Sequence, residues 1–254
     1  MFDFIKNILS SKKSDPRVAV STSGVPNVEI NPAREMLKEA TALKKDKKYD
    51  EACEKLREAF SLEGADGLMV KERLRLPMYL QLANKNDEGW KILNEMNVQF
   101  TDEFSQAEIA DQMRVFLQKE KKYSHAVLFA IWSICKEIER DRKNIQGSIS
   151  LADQYAEHKS EWGFLSEGRS EEIYGTTLKG NPITDHAYKM FHDRVRESSS
   201  IDGVRDRIFP LLKKAKKEDV ADDFSESVSR YLGSAERYDF REVRDIVNEF
   251  LVNE

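Results

Sequence analysis

A helical pattern that repeats every 37 residues constrains this chain more than any other feature of its sequence. Ala52, Gly89 and Ala126 stand 37 residues apart. Four positions further along, the same register carries apolar or small residues again, namely Leu56, Leu93 and Ala130. A period between 20 and 50 residues is typical of stacked supersecondary units, each of which buries its apolar face only against its neighbours. We therefore expect about three such units to form a continuous core.

The first unit, residues 33–62, shows what each repeat contains. Met36, Ala40 and Leu43 recur at helical spacing before a polar break at residues 44–48. A second helical set follows the break and consists of Ala52, Leu56, Ala59 and Phe60. Small residues in both sets allow two helices to approach closely, so the pattern predicts an antiparallel helical hairpin with a tight turn.

This first unit resembles the tetratricopeptide repeat. The family's small positions, its turn tyrosine and its large apolar positions correspond here to Ala40, Ala52, Ala59, Tyr49, Met36, Leu43 and Leu56. The resemblance extends over residues 33–140 and weakens along them, because Pro77 and Arg114 stand where the first unit has Ala40. It implies an all-α fold: a right-handed α-solenoid of about three TPR-like helical hairpins, followed by a helical C-terminal region.

The resemblance also implies a function, since such repeats bind a protein or peptide partner in the groove formed by their first helices. The chain is accordingly interpreted as a non-catalytic scaffold or adaptor. The family's groove positions correspond to Arg34, Leu37, Thr41, Lys44, Lys45, Lys71, Leu74, Arg75, Met78, Asp111, Val115 and Gln118. Lys71 and Arg75 are one helical turn apart and can grip a carboxylate of the bound peptide. The family's chaperone-binding members hold a C-terminal carboxylate with a basic and an amide residue where this chain has Leu37 and Thr41, so that ligand is not implied.

Three regions are predicted along the chain. Residues 1–31 comprise a short amphipathic helix over Phe2–Leu9 and a flexible linker, residues 32–142 the repeats, and residues 143–254 a helical C-terminal region. The N-terminal apolar run is too short for a signal peptide or a membrane span, so Phe2–Leu9 is the only membrane contact that the sequence allows. The alternatives for this helix are docking on the protein's own body, on a partner or on a membrane surface.

The C-terminal region is expected to cover the last repeat helix. Residues 126–138 are apolar on more than one face, which predicts a helix buried on both sides. Helices are predicted at 144–156, 184–197, 202–217 and 221–232, and a last helix is predicted from Ser234 or Asp239 to Leu251. The last of these carries a regular apolar stripe that predicts a capping helix or an oligomer face. Glycines punctuate residues 161–182, which predicts an irregular segment, either an ordered loop or a short hairpin of strands.

Charge, cysteine usage and motif content favour a cytoplasmic protein without a cofactor. The 41 basic and 46 acidic residues are interleaved, so no domain-scale basic excess favours nucleic acid. Cys53 and Cys135 are predicted to be reduced core thiols. The histidines lack the spacing of a helical zinc pair, so no metal site is predicted. The stretch from Gly175 to Gly180 has the glycine spacing of a phosphate-binding loop, but Asn181 and Pro182 follow where that loop needs Lys and then Ser or Thr.

Two alternative functions stay open. The first is an enzyme or nucleic-acid effector whose site lies in residues 145–254. Its support is a cluster of aromatic, basic and histidine residues close in sequence, namely Trp162, Arg169, Tyr174, His186 and His192. A convergent polar pocket there would favour this alternative. The second is an inhibitor or immunity-type protein that masks a partner, which the sequence does not distinguish from a general adaptor. The sequence indicates no oligomeric state.

Overall fold

Helices account for most of the structure, a computed structural model that describes residues 31–158 and 172–251. The α-helices are α1 (Pro32–Lys45), α2 (Tyr49–Ser61), α3 (Val70–Arg73), α4 (Arg75–Leu82), α5 (Asn86–Gln99), α6 (Glu103–Lys119), α7 (Tyr123–Glu157), α8 (His186–Ser199), α9 (Ile201–Ala215), α10 (Ala221–Ser234) and α11 (Phe240–Leu251). The strands β1 (Gly175–Thr176) and β2 (Pro182–Ile183) are each two residues long. The predicted all-α class is confirmed. The helix predicted at Phe2–Leu9 lies outside the described residues.

Three helical hairpins share one turn geometry, and their turns are 37 residues apart. The hairpins pair α1 with α2, α4 with α5, and α6 with α7. Lys47, Asn84 and Lys121 have left-handed backbones with φ of 62°, 60° and 61°. The lysine after each donates its N–H to a leucine carbonyl five residues earlier, at 2.9, 2.8 and 2.9 Å. This is the Schellman arrangement of a helix end, so the period in the sequence is also a repeat of backbone structure.

A fourth hairpin, formed by α9 and α10, uses the same turn. Lys216 has φ of 59°, and the N–H of Lys217 donates to the carbonyl of Leu212 at 3.0 Å. Residues 212–217, LKKAKK, differ from residues 43–48, LKKDKK, at one position. This hairpin falls outside the 37-residue register, because its left-handed lysine lies 95 residues beyond Lys121. The predicted helices at 202–217 and 221–232 are confirmed in place, and their pairing adds a hairpin that the period does not predict.

Neighbouring hairpins contact one another through the second helix of one hairpin and the first helix of the next. Helix α2 packs on α4, α5 on α6, and α7 on α9. The first helix of the second hairpin is divided. Pro77 in the sequence predicts a kink or a late start in this helix. Pro77 has no N–H to donate to the carbonyl of Arg73, and its ring opposes that carbonyl sterically. The helix therefore breaks at Leu74, and α4 restarts with Pro77 in its first turn.

Helix α7, of 35 residues, joins the hairpins to the C-terminal helices. Residues 126–138 lie in a core shared with α9, α10 and α11, which confirms that C-terminal elements cover this helix. Within that core, the rings of Phe224 and Phe250 are 5.1 Å apart between centroids. Helix α11 contributes Val243, Val247 and Leu251 to the same core, as a capping helix would.

The prediction of a separate helix at residues 144–156 is wrong, because these residues continue α7 without a break. No proline interrupts residues 123–157, and the buried Ile145 and Ser148 keep one face of the helix packed. Helix α7 therefore also passes through residues 142 and 143, where the sequence suggests the end of the repeats. The later part of α7 packs on α8 and β2.

The described part of the glycine-punctuated segment is a short hairpin of strands, one of the two forms that the sequence predicts. Gly175 pairs with Ile183 and Thr176 with Pro182 in antiparallel register. Gly180 has φ of 83°, a conformation that glycine adopts without steric cost. The hairpin is fixed to the end of α7 rather than forming a phosphate-binding loop.

Candidate partner-binding cleft

A cleft of about 600 Å³ lies between the second and third hairpins. It is lined by residues of α3, α4, α6 and α7, by the residue that precedes α3 and by Leu74 between α3 and α4. These are Met69, Lys71, Glu72, Leu74, Arg75, Met78, Ala107, Glu108, Asp111, Gln112, Glu137 and Arg140. The break in the helix at Leu74 lies within one wall, so the divided helix shapes the cleft directly.

The structure brings together some of the groove residues predicted from the sequence. Those that line the cleft are Lys71, Leu74, Arg75, Met78 and Asp111. Val115 and Gln118 lie further along α6 and are partly buried. The predicted residues of the first unit lie on α1 and do not line the cleft, namely Arg34, Leu37, Thr41, Lys44 and Lys45.

Two of those α1 residues belong to the helix itself rather than to a binding surface. Leu37 is 2% exposed and forms part of the core between α1 and α2. Thr41 donates its hydroxyl to the carbonyl of Leu37 at 2.8 Å, so it is satisfied within its own helix. In contrast, Glu137 and Arg140 line the cleft although no groove position predicted them, because they come from the second helix of the third hairpin.

A second cavity, of about 440 Å³, adjoins the cleft and extends it toward α9. The two cavities share Asp111 and Glu137. Arg114 and Arg207 line the second cavity from α6 and α9. A concave surface therefore runs from α3 across α6 and α7 to α9.

The acidic groups where the two cavities meet already have basic partners. Glu137 accepts hydrogen bonds from both terminal nitrogens of Arg207, at 3.0 and 2.7 Å. The hydrogen bonding to Glu137 raises the pKa of Arg207 above its ordinary value. Asp111 forms an ion pair with Arg114 at 2.7 Å. These carboxylates are thus compensated without a ligand.

Lys71 and Arg75, by contrast, have no acidic partner in the described parts of the chain. Lys71 is exposed and Arg75 is half-buried, and both face the cleft. Glu72 lies next to Lys71 in sequence, but it accepts the N–H of Met69 at 2.8 Å and lies 3.5 Å from Arg34. The wall formed by α3 and α4 therefore presents two cationic groups whose charge a ligand could neutralise.

Apolar surface and an amide donor complete the cleft. Met69 exposes 61% of its surface, and Met78 is partly exposed. Unbranched thioether side chains adapt to apolar groups of different shape. The Nε2 atom of Gln112 is buried and has no hydrogen-bond partner among the described residues. A bound acceptor would satisfy this donor, whose burial is otherwise unfavourable.

In the alternative C-terminal site, the described tyrosines and histidines form ring-to-ring contacts on α8 and beside it. The ring of Tyr174 lies 5.4 Å from that of His186, and the ring of Tyr188 lies 4.5 Å from that of His192. The cavity beside Ile183 measures about 10 Å³, too little for a substrate. Trp162 and Arg169 lie outside the described residues. Within residues 31–158 and 172–251, no group of three or more His, Cys, Asp and Glu is placed to hold a metal.

The stretch that resembles a phosphate loop in its glycine spacing has a structural role. Thr177 and Asn181 donate side-chain hydrogen bonds to Asp153 on α7, at 2.6 and 2.8 Å. These bonds, that from Thr177 above all, lower the pKa of Asp153. Lys179 pairs with Glu157 at 2.8 Å, so the hairpin is held on the last turns of α7.

Both cysteines are free and buried, which confirms that they are core thiols. Burial raises the pKa of Cys53 to about 11. The pKa of Cys135 is raised as well, again chiefly by burial. Neither thiol is therefore poised as a nucleophile at neutral pH.

Comparison with known proteins leaves the cleft without an assignment. No family model, no curated protein and no solved structure matches this chain. Across the two described ranges, no helix combines the length and the apolar character needed to cross a bilayer. The function must be inferred from the geometry and charge of the cleft itself.

Proposed function

We propose that this protein is a non-catalytic scaffold that binds a segment of a partner protein in the cleft between its second and third hairpins. The observation that carries the proposal is the placement of Lys71 and Arg75, two cations without acidic partners, on the wall of a cleft of about 600 Å³. On this proposal the hairpins form a right-handed α-solenoid of the tetratricopeptide type. The hairpin turns, which recur every 37 residues with the same backbone geometry, support that arrangement.

The cleft offers three kinds of contact to an extended or helical segment. A carboxylate of the segment would pair with Lys71 and Arg75 through charge-assisted hydrogen bonds, which are stronger than neutral ones. An apolar side chain would pack on Met69 and Met78, and a backbone carbonyl would accept the free donor of Gln112. The walls are already helical, so binding costs the protein little conformational entropy.

Selection of peptides from a displayed random library on the full-length chain tests this proposal. The selected peptides should share an acidic residue close to an apolar one. Their affinity should fall by about tenfold or more for the Lys71→Glu/Arg75→Glu variant, because a hydrogen bond to a charged group contributes about 1.5–3 kcal/mol. Lys38→Glu/Lys91→Glu, which changes the same charge at exposed positions outside the cleft, is the matched control.

Circular dichroism and urea denaturation are to be measured first, to establish that both variants are folded before their affinities are compared. Equal affinity of the selected peptides for the two variants would contradict the assignment of the cleft. So would enrichment of peptides that carry no acidic residue, because the unpaired cations would then have no part in binding.

A further inference from the structure

The four hairpin turns carry an unusual concentration of lysine. The segments 43–48, 80–85, 117–122 and 212–217 contain twelve lysines, no arginine and only two acidic residues. Most of these lysines are exposed and form no ion pair within the described ranges. The whole chain has a net charge of −5, so these turns are a local reversal of its overall sign.

The fold brings the four turns together on one edge, which we name the basic edge. Lys85 of the second turn lies 2.6 Å from Asp50, just after the first turn. Lys214 of the fourth turn lies 6.0 Å from the ring centroid of Tyr123, which directly follows the third turn. Glu120 of the third turn accepts a hydrogen bond at 2.8 Å from the indole N–H of Trp90, in the helix that begins at the second turn.

Folding alone does not explain lysine at the left-handed positions. Lys47, Lys121 and Lys216 adopt φ between 59° and 62°, where an L-residue other than glycine or asparagine is strained. Glycine is the residue that helix ends favour at this position. Only the second turn has asparagine there. Three of four turns thus keep a positive charge at a site where glycine would suit the backbone better.

A row of exposed lysines attracts a surface that carries many phosphates. Lysine is a strongly hydrated point charge, whereas nucleic-acid recognition relies more on arginine forks and on aromatic stacking. Polybasic surfaces of this kind bind the anionic lipids of a bilayer.

We infer that the basic edge docks this protein on an anionic phospholipid surface. The docking is independent of the cleft and leaves Lys71 and Arg75 free to hold a partner segment. The protein would then bring that partner to a membrane without spanning it.

The test is co-sedimentation of the full-length chain with phosphatidylcholine vesicles that contain or lack phosphatidylserine. Binding should require phosphatidylserine and weaken as salt is added, because exposed charges are screened. The triple variant Lys47→Gly/Lys121→Gly/Lys216→Gly should lose binding by about tenfold or more, because each lysine near an anionic surface contributes to the affinity. This variant removes charge while relieving strain, so loss of fold would not account for its effect.

Lys38→Gln/Lys143→Gln/Lys189→Gln removes the same charge from other helix surfaces and should bind within about twofold of the wild type. Equal binding to vesicles without phosphatidylserine would overturn the inference, as would full binding by the glycine variant. Loss of vesicle binding only when residues 1–9 are deleted would place the contact elsewhere and also overturn it. The inference would also be overturned if the wild-type chain did not bind the vesicles but bound single-stranded RNA, and if the glycine variant lost that RNA binding.

Discussion

Replacing the left-handed lysines by glycine should stabilise this protein. Lys47, Lys121 and Lys216 each adopt φ near 60° at a helix end. An L-residue in this conformation costs about 1–2 kcal/mol, which glycine does not incur. Glycine loses more entropy on folding, which offsets about 0.5–1 kcal/mol of that relief. The net gain in the free energy of unfolding is about 0.5–1 kcal/mol for each turn.

The three gains should add, because each substitution lies in a different turn. The triple glycine variant should therefore be about 2 kcal/mol more stable than the wild type. For a chain of this size, that corresponds to a rise in Tm of about 4–8 °C. Urea denaturation followed by circular dichroism measures the free energy, and a thermal scan measures the Tm. High salt should be used, because it screens repulsion among the neighbouring lysines.

Two controls separate backbone strain from charge. Alanine at the same three positions removes the same charge but keeps the strain, so it should not stabilise the protein. Glycine at Lys38, in the middle of α1, should destabilise it by about 1 kcal/mol through lost helix propensity. If glycine at Lys47 were as destabilising as glycine at Lys38, the repeated Schellman turn would be refuted.

Three further substitutions follow from the packing and the charges. Gly89→Val should destabilise the fold by about 2 kcal/mol in urea denaturation, because a Cβ there would lie 2.8 Å from Cζ of the buried Phe116; wild-type stability would contradict this packing. Arg207→Met should cost only about 1 kcal/mol, and less at high salt, because its pair with Glu137 is partly exposed; a salt-independent loss would argue against an electrostatic cause. The buried Cys53 thiol has a pKa raised from 9.0 to about 11. Its contribution to the free energy of unfolding is therefore complete below pH 9 and is lost as the pH rises to 11. Cys53→Ala should therefore flatten the decline in stability over that range, and an unchanged decline would contradict the assignment.

Local patterns predicted the helices well, because their causes lie close together in the sequence. The small residues at Ala52, Gly89 and Ala126 gave a period that the backbone repeats turn by turn. Pro77 predicted a kink or a late start, and the helix breaks at Leu74, directly after Arg73, whose carbonyl lacks the hydrogen bond that Pro77 cannot donate. Both inferences need only neighbouring residues and the geometry of one helix.

The length of α7 was not predicted, because a polar run can continue a helix as well as end it. Residues 139–144, ERDRKN, resemble a linker by composition. In the fold, Asp141 from this run is 3% exposed and forms an ion pair with Arg194 of α8 at 3.4 Å. A buried, paired carboxylate on one face holds the helix together there. That contact depends on tertiary packing and leaves no periodic signal in the sequence.

The cleft was predicted in part, because only some of its residues lie on the first helices of the hairpins. Lys71, Arg75 and Asp111 converge as the groove positions suggested, whereas Glu137 and Arg140 come from α7. The fourth turn had a visible signal in LKKAKK, which repeats LKKDKK almost letter for letter. Its distance from the other turns concealed it from a search for a constant period. The basic edge follows from that turn and could not be seen without the fold.

The central claim is that Lys71 and Arg75 hold a carboxylate of a bound segment, and an exchange of charges tests it most directly. A peptide selected on the wild-type chain is labelled, and its affinity is measured by fluorescence anisotropy. Replacing its acidic residues by lysine should weaken binding to the wild type by about tenfold or more. The same basic peptide should recover affinity for the Lys71→Glu/Arg75→Glu variant. If the variant binds the basic peptide no better than the wild type does, the two cations do not contact the ligand and the account of the cleft is wrong.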